Sequence, residues 1–133
     1  MKLSGNVLIV DDSSVARKIL RDTLENMGLY VIEAVDGKQA MDILKDFLSK
    51  TGDKPVTDYI NLIISDVDMP EMDGFTFTRN VKLDRQLNVL PIVINTSLNG
   101  EENKEKAKLV GADGYLVKFN ITNLIQEVSR FLK

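Results

Sequence analysis

"LIISDVDMPEMDG", Leu62 to Gly74, runs an apolar stretch straight into Asp66, Asp68, Glu71 and Asp73, with Pro70 fixing the chain among them. An apolar run without polar alternation is the pattern of a strand covered on both faces, as in a parallel sheet sandwiched between helices. The carboxylates at its end repel one another and want water. A fold that stations them there has either an exposed turn or a cation to receive them.

Outward from this stretch, four more short β-branched runs alternate with segments of helical period: "NVLIV" (6–10), "YVIEA" (30–34), "LPIVIN" (90–95) and "GYLV" (114–117), the central one being "YINLIIS" (59–65). Between the first two, Val15, Ile19, Leu20, Thr23, Leu24 and Met27 recur every three or four residues. Ser13 or Ser14 can cap that helix and Gly28 ends it. The next helix opens at Asp36 and carries Ala40, Met41, Ile43, Leu44, Phe47 and Leu48 on one side. The last shows Ile121, Leu124, Ile125, Val128, Phe131 and Leu132, a stripe that would dock onto a sheet. "SKTGDKPVTD", residues 49–58, is the one linker-like stretch. The predicted fold class is α/β, a doubly wound five-stranded parallel sheet, with residues 1–133 as one domain.

Composition narrows the chemistry. With 17 Lys and Arg against 20 Asp and Glu, the net charge of −3 gives no broad positive field, so nucleic acid is not expected as a partner. Cysteine and histidine are both absent, which removes disulfides, thiolate or imidazole metal sites and Ser/His or Cys/His catalysis. Carboxylates, lysines and hydroxyls remain. No apolar run approaches the roughly 20 residues needed to span a bilayer, and "MKLSGNVLIVDDSS" is too short in its apolar core to act as a secretory signal. The expected location is the cytoplasm, without membrane insertion.

In doubly wound sheets ligands sit beyond the carboxyl ends of the strands. There the chain places Asp11 and Asp12 after the first strand, Asp66 and Asp68 after the third, Thr96 and Ser97 after the fourth, and Lys118 after the fifth. Oxygen ligands at this density suit a hard divalent cation, and Mg²⁺ takes one or two protein carboxylates plus a phosphate. A lysine and a hydroxyl at the same rim supply the positive charge and the donor that a transferring phosphoryl group needs. A carboxylate can serve as the phosphoryl acceptor. Taken alone, Asp11 and Asp12 read as helix caps; with Asp66 added, metal binding is the better reading.

"VLIVDDSSVARKIL", "LIISDVDMPEMDG", "VINTS" and "GADGYLVK", in this order, resemble the receiver domain of two-component response regulators over nearly the whole chain. The resemblance implies a flavodoxin-like topology of strand order 2-1-3-4-5 with five helices. It implies that Asp66 accepts phosphate from a phosphohistidine on a kinase of the chemotaxis type. Asp12, Asp66 and the backbone carbonyl of Asp68 would bind Mg²⁺ (or Mn²⁺), with Asp11 helping through water. Lys118 would pair with the phosphoryl group, Thr96 would swing in to bond it, and Tyr115 would follow inward as the switch of the strand 4, helix 4, strand 5 surface. The long insert before strand three, "SLNGEEN" after Thr96, and "VKFN" where most receivers have Lys-Pro look like the receiver half of CheV-type chemotaxis scaffolds. That narrower likeness implies a receptor-coupling complex as partner and an isolated receiver, monomeric on its own. Without proline at position 119, a cis peptide costs roughly 2.5 to 4 kcal/mol, so Lys118-Phe119 is expected to be trans.

Two other readings stand beside this one. "DVD" mimics the Asp-x-Asp pair of haloacid-dehalogenase-type phosphatases, although that motif normally follows the first strand rather than the third. The other is a pseudo-receiver, an interaction domain that keeps the fold without phosphorylation. Calcium sensing is excluded, since an EF-type loop counted from Asp66 wants Gly sixth and Glu twelfth, where the chain has Glu71 and Phe77.

Overall fold

The computed structural model describes residues 3–132. Strands β1 (Asn6–Val10), β3 (Leu62–Ser65) and β4 (Ile92–Thr96) are buried almost throughout, as strands covered on both faces must be. With β2 (Tyr30–Ala34) and β5 (Gly114–Val117) they form one parallel sheet in the order β2-β1-β3-β4-β5. The predicted fold class and strand order are those observed.

Helices α1 (Ser14–Asn26) and α5 (Ile121–Phe131) cover one face, where Leu20, Leu24, Leu124 and Val128 pack on Val7, Ile9, Ile64 and Val93. Helices α2 (Gly37–Thr51) and α3 (Gly74–Leu83) cover the other, with Ala40, Leu44, Phe77 and Val81 against Leu8, Val10, Ile63 and Ile92. Helix α4 (Glu101–Leu109) joins that second layer through Ala107, beside Val67, Phe75 and Ile94. The caps follow the sequence: Ser13 accepts from the Ala16 amide at α1 and Asp36 from the Gln39 amide at α2.

Several expected boundaries move. The third strand begins at Leu62 rather than Tyr59, because Val56–Asp58 form a short 3-10 turn and Tyr59 stacks on Phe47, ring centroids 5.2 Å apart. The linker-like 49–58 stretch is shorter than expected, since α2 continues to Thr51 before Gly52 turns the chain at φ 59°. The fourth strand begins after Pro91, which has no amide hydrogen for a ladder bond, and it includes Thr96 as its last residue. The "SLNGEEN" loop ends early as well, α4 starting at Glu101. Three members of the predicted apolar stripes face solvent: Val15 on α1, and Ile121 and Ile125 on α5.

Register brings the strand ends together. Val10 lies opposite both Ala34 and Ser65, and Thr96 lies opposite Val117. The residues that follow Val10, Ser65 and Val117 therefore leave the sheet at one rim.

Candidate functional site

Asp11 and Asp66 are neighbours by register, and the Asp66 amide donates to the Val10 carbonyl at 2.8 Å. Both carboxylates are buried, at 1% and 8% exposure, whereas Asp12 is open to solvent. One carboxylate oxygen from each of Asp11, Asp12 and Asp66 falls in a group spanning no more than 4.8 Å. Three anionic oxygen donors this close could hold a hard divalent cation, and their chemistry fits Mg²⁺ or Mn²⁺. The sites predicted at Asp11, Asp12 and Asp66 are thus brought together.

Lys118 closes the group. Its Nζ donates to Asp11 Oδ2 at 2.6 Å and lies 3.3 Å from Asp66 Oδ2, and its own amide donates to the Thr96 carbonyl at 2.8 Å. The Lys118-Phe119 peptide is cis, against the expected trans form. The expectation rested on the local cost of the cis form; with the cis peptide in place, Lys118 is anchored at its amide by the Thr96 carbonyl and at Nζ by the Asp11 carboxylate. The exposed Phe119 ring sits 5.6 Å from Nζ, within cation–π range.

The charges are tuned by burial and by one another. For Asp66, burial raises the carboxyl pKa above its usual 3.8; the bond from the Val67 amide lowers it, Asp11 raises it again and Lys118 lowers it, with a net rise. For Lys118, burial alone would lower the ammonium pKa, but the hydrogen bond and charge of Asp11, then Asp66, carry it above 10.5. Lys118 is therefore charged at neutral pH. The Val67 amide also fixes Asp66 Oδ1 at 2.8 Å and so sets the carboxylate plane.

Thr96 joins the cluster through its backbone only. Its side chain, 1% exposed, turns to the next loop, where Oγ1 accepts from the Leu98 amide at 3.3 Å. Tyr115 reaches the same residue from β5, its hydroxyl donating to the Leu98 carbonyl at 2.6 Å, and burial raises its phenol pKa above 10.0. Asp68 is exposed on the loop leaving β3, and among the described residues nothing donates to its carbonyl.

Two supports went unread in the sequence. Gly74 starts α3 against the back of the site: its amide donates to the Val67 carbonyl, and a Cβ there would collide with the Asp66 carbonyl oxygen. The Asp-Gly pair at a helix start was the available signal. Arg17 and Arg21 sit four apart on α1 and both pair with Glu33, the one acid in the otherwise apolar β2. A lone glutamate in such a strand was the clue.

Comparison with known proteins gives a consistent picture. The sequence model of the response regulator receiver domain matches residues 7–129. Chemotaxis protein CheV3 of Helicobacter pylori is 37% identical over 131 residues, which is 98% of this chain and 42% of that protein. A chemotaxis protein CheY homolog of Campylobacter jejuni is 33% identical over 113 residues, covering 84% of this chain and 79% of the relative. Among solved structures, chemotaxis protein CheY4 of Vibrio cholerae is similar with a TM-score of 0.78 and 37% identity, over 97% of this chain and 99% of that one. The chain thus spans well under half the length of the CheV relative it matches.

Proposed function

The chain belongs to the response regulator receiver domain family, and from that premise we propose that it is a phospho-accepting switch in a chemotaxis phosphorelay, with Asp66 as the acceptor. One observation carries this reading: Lys118 Nζ stands 3.3 Å from a buried Asp66 whose carboxylate shares a three-acid cluster with Asp11 and Asp12. The phosphodonor in this reading is a phosphohistidine of a chemotaxis-type kinase. An Asp66 oxygen attacks phosphorus, the phosphorus–nitrogen bond of the donor breaks, and the released imidazole nitrogen is reprotonated from water.

Mg²⁺ held by Asp12, Asp66 and the Asp68 carbonyl, with Asp11 behind a water, would supply charge for the equatorial phosphoryl oxygens. Lys118 supplies the protein's own positive charge at that point. Asp11 and Asp66 share its ammonium, and with those acids occupied by a cation Lys118 would be available to pair with the incoming group.

The readout passes through Leu98. Thr96 and Tyr115 grip its amide and carbonyl respectively, so a Thr96 hydroxyl that turns to the phosphoryl group releases the Leu98 amide and disturbs the Tyr115 bond. A cavity of ≈ 350 Å³ between α4 and β5, lined by Lys104, Ala107, Lys108 and Tyr115 among others, lies where that change would be felt. As an isolated unit of residues 1–133 we read the chain as one monomeric, cytoplasmic receiver domain. If the CheV likeness extends to the whole protein, its partner is the chemoreceptor-coupling complex. Receiver domains of this type are signalling switches rather than classical enzymes.

The test is labelling with a small phosphodonor such as acetyl phosphate. The expected product is Mg²⁺-dependent, acid-stable and hydroxylamine-labile, and absent from Asp66→Asn; a chain that takes no label with Mg²⁺ present does not have this function.

A further inference from the structure

Arg17 touches no acid of the cluster through its charge, yet it holds the backbone between two of them. Its Nη1 donates to the Asp11 carbonyl at 2.8 Å, and its Nε donates to Glu33 Oε1 at 3.1 Å. Glu33 Oε2 in turn accepts from Arg21 Nη1 at 2.7 Å, so the glutamate is gripped from both sides. The Asp11 carbonyl belongs to the peptide that joins Asp11 to Asp12. Asp12 is exposed, and among the described residues its carboxylate has no hydrogen-bond partner. What holds Asp12 beside the cluster is therefore its backbone, and the peptide before it is the one Arg17 grips.

From these contacts we infer that Arg17 is a positioning residue for the divalent-cation site, fixing the Asp11–Asp12 peptide while Glu33 neutralises its charge; this rests on the cation reading of the acidic cluster given above. The fork geometry of the guanidinium is what the role requires. One donor goes to a carbonyl on the site's own strand end and another to a carboxylate on the neighbouring strand, both from a side chain that is mostly buried. Supports of this kind, one layer behind the ligands, are often worth about 10- to 100-fold in metal affinity.

Electrostatics without positioning gives the opposite sign. A guanidinium so close to a cation site repels the cation, and removing it would tighten binding. The experiment is an Mg²⁺ titration of the whole 133-residue chain followed by amide NMR, on the parent protein, Arg17→Met and Arg17→Lys. The expected result is Mg²⁺ affinity weaker by about 10-fold in Arg17→Met. Arg17→Lys keeps the charge but cannot fork between both acceptors, and is expected to bind Mg²⁺ more weakly than the parent as well. Acetyl phosphate labelling at saturating Mg²⁺ should return to the parent rate in both variants, which a general loss of structure would not allow. Affinity equal to or tighter than the parent in either variant, or labelling that stays slow at saturation, overturns the role. A parent chain that binds no Mg²⁺ instead removes the cation reading itself.

Discussion

Asp66 is where burial and charge pull hardest against each other. Its folded pKa lies above 3.8, so the folded state holds the proton more tightly than the unfolded chain does. The resulting stabilisation is complete below pH 3.8 and is lost as pH rises through the folded value, which leaves the ionised carboxylate opposing folding at neutral pH. In EDTA at neutral pH, Asp66→Asn should therefore melt at a higher temperature than the parent, and the gap should close as pH falls below 3.8. A second residue-scale outcome concerns Gly74. Gly74→Ala forces a methyl against the Asp66 carbonyl, and should cost about 1 to 3 kcal/mol in denaturant melts while slowing labelling at Asp66. Asp12, Asp66 and Lys118 were legible because each directly follows or nearly follows an apolar run. The Thr96 hydroxyl was not, since its partner is the amide of Leu98, and no spacing rule says which way a buried hydroxyl turns. For the cis Lys118-Phe119 peptide the sequence shows only the local cost of that form, which points to trans.

Among the helices, α4 has the least to hold it. Gly100 at its start offers no side-chain cap, Ala107 is its one buried residue, and its charges face water at three- and four-residue spacing. Hydrogen exchange measured by NMR should find its amides exchanging fastest among the five helices, with α2, which buries Ala40, Met41 and Leu44, well behind. At α3 the Asp73 carboxylate accepts from both the amide and the hydroxyl of Thr76. Asp73→Ala should lower stability by about 1 kcal/mol in a urea melt. Element type was readable from the five short apolar runs and from the stripes of α1, α2 and α5. Element ends were less so. Ile60 and Leu90 are fully buried and apolar, yet both lie outside strands, in the 3-10 turn's exit and before Pro91. Burial and strand pairing are separate events, and hydrophobicity reports only the first. On α5 even burial does not follow from an apolar side chain, since Ile121 and Ile125 are exposed.

For the molecule as a whole, a cation that binds the acidic cluster links occupancy to stability. Three mutually repelling carboxylates are relieved on binding, so Mg²⁺ at 100 times its dissociation constant should add about 2.7 kcal/mol, read as a rise in melting temperature that EDTA reverses. The same addition should do far less for Asp66→Asn, which lacks one ligand charge. The parallel winding has a further use. Each helix returns the chain to the end of the sheet remote from the acids, and α2 does so at Gly52, an exposed residue with nothing within 4 Å of a side chain built there. A fluorescent reporter or an affinity handle spliced in at that corner would ride on the domain without entering its chemistry.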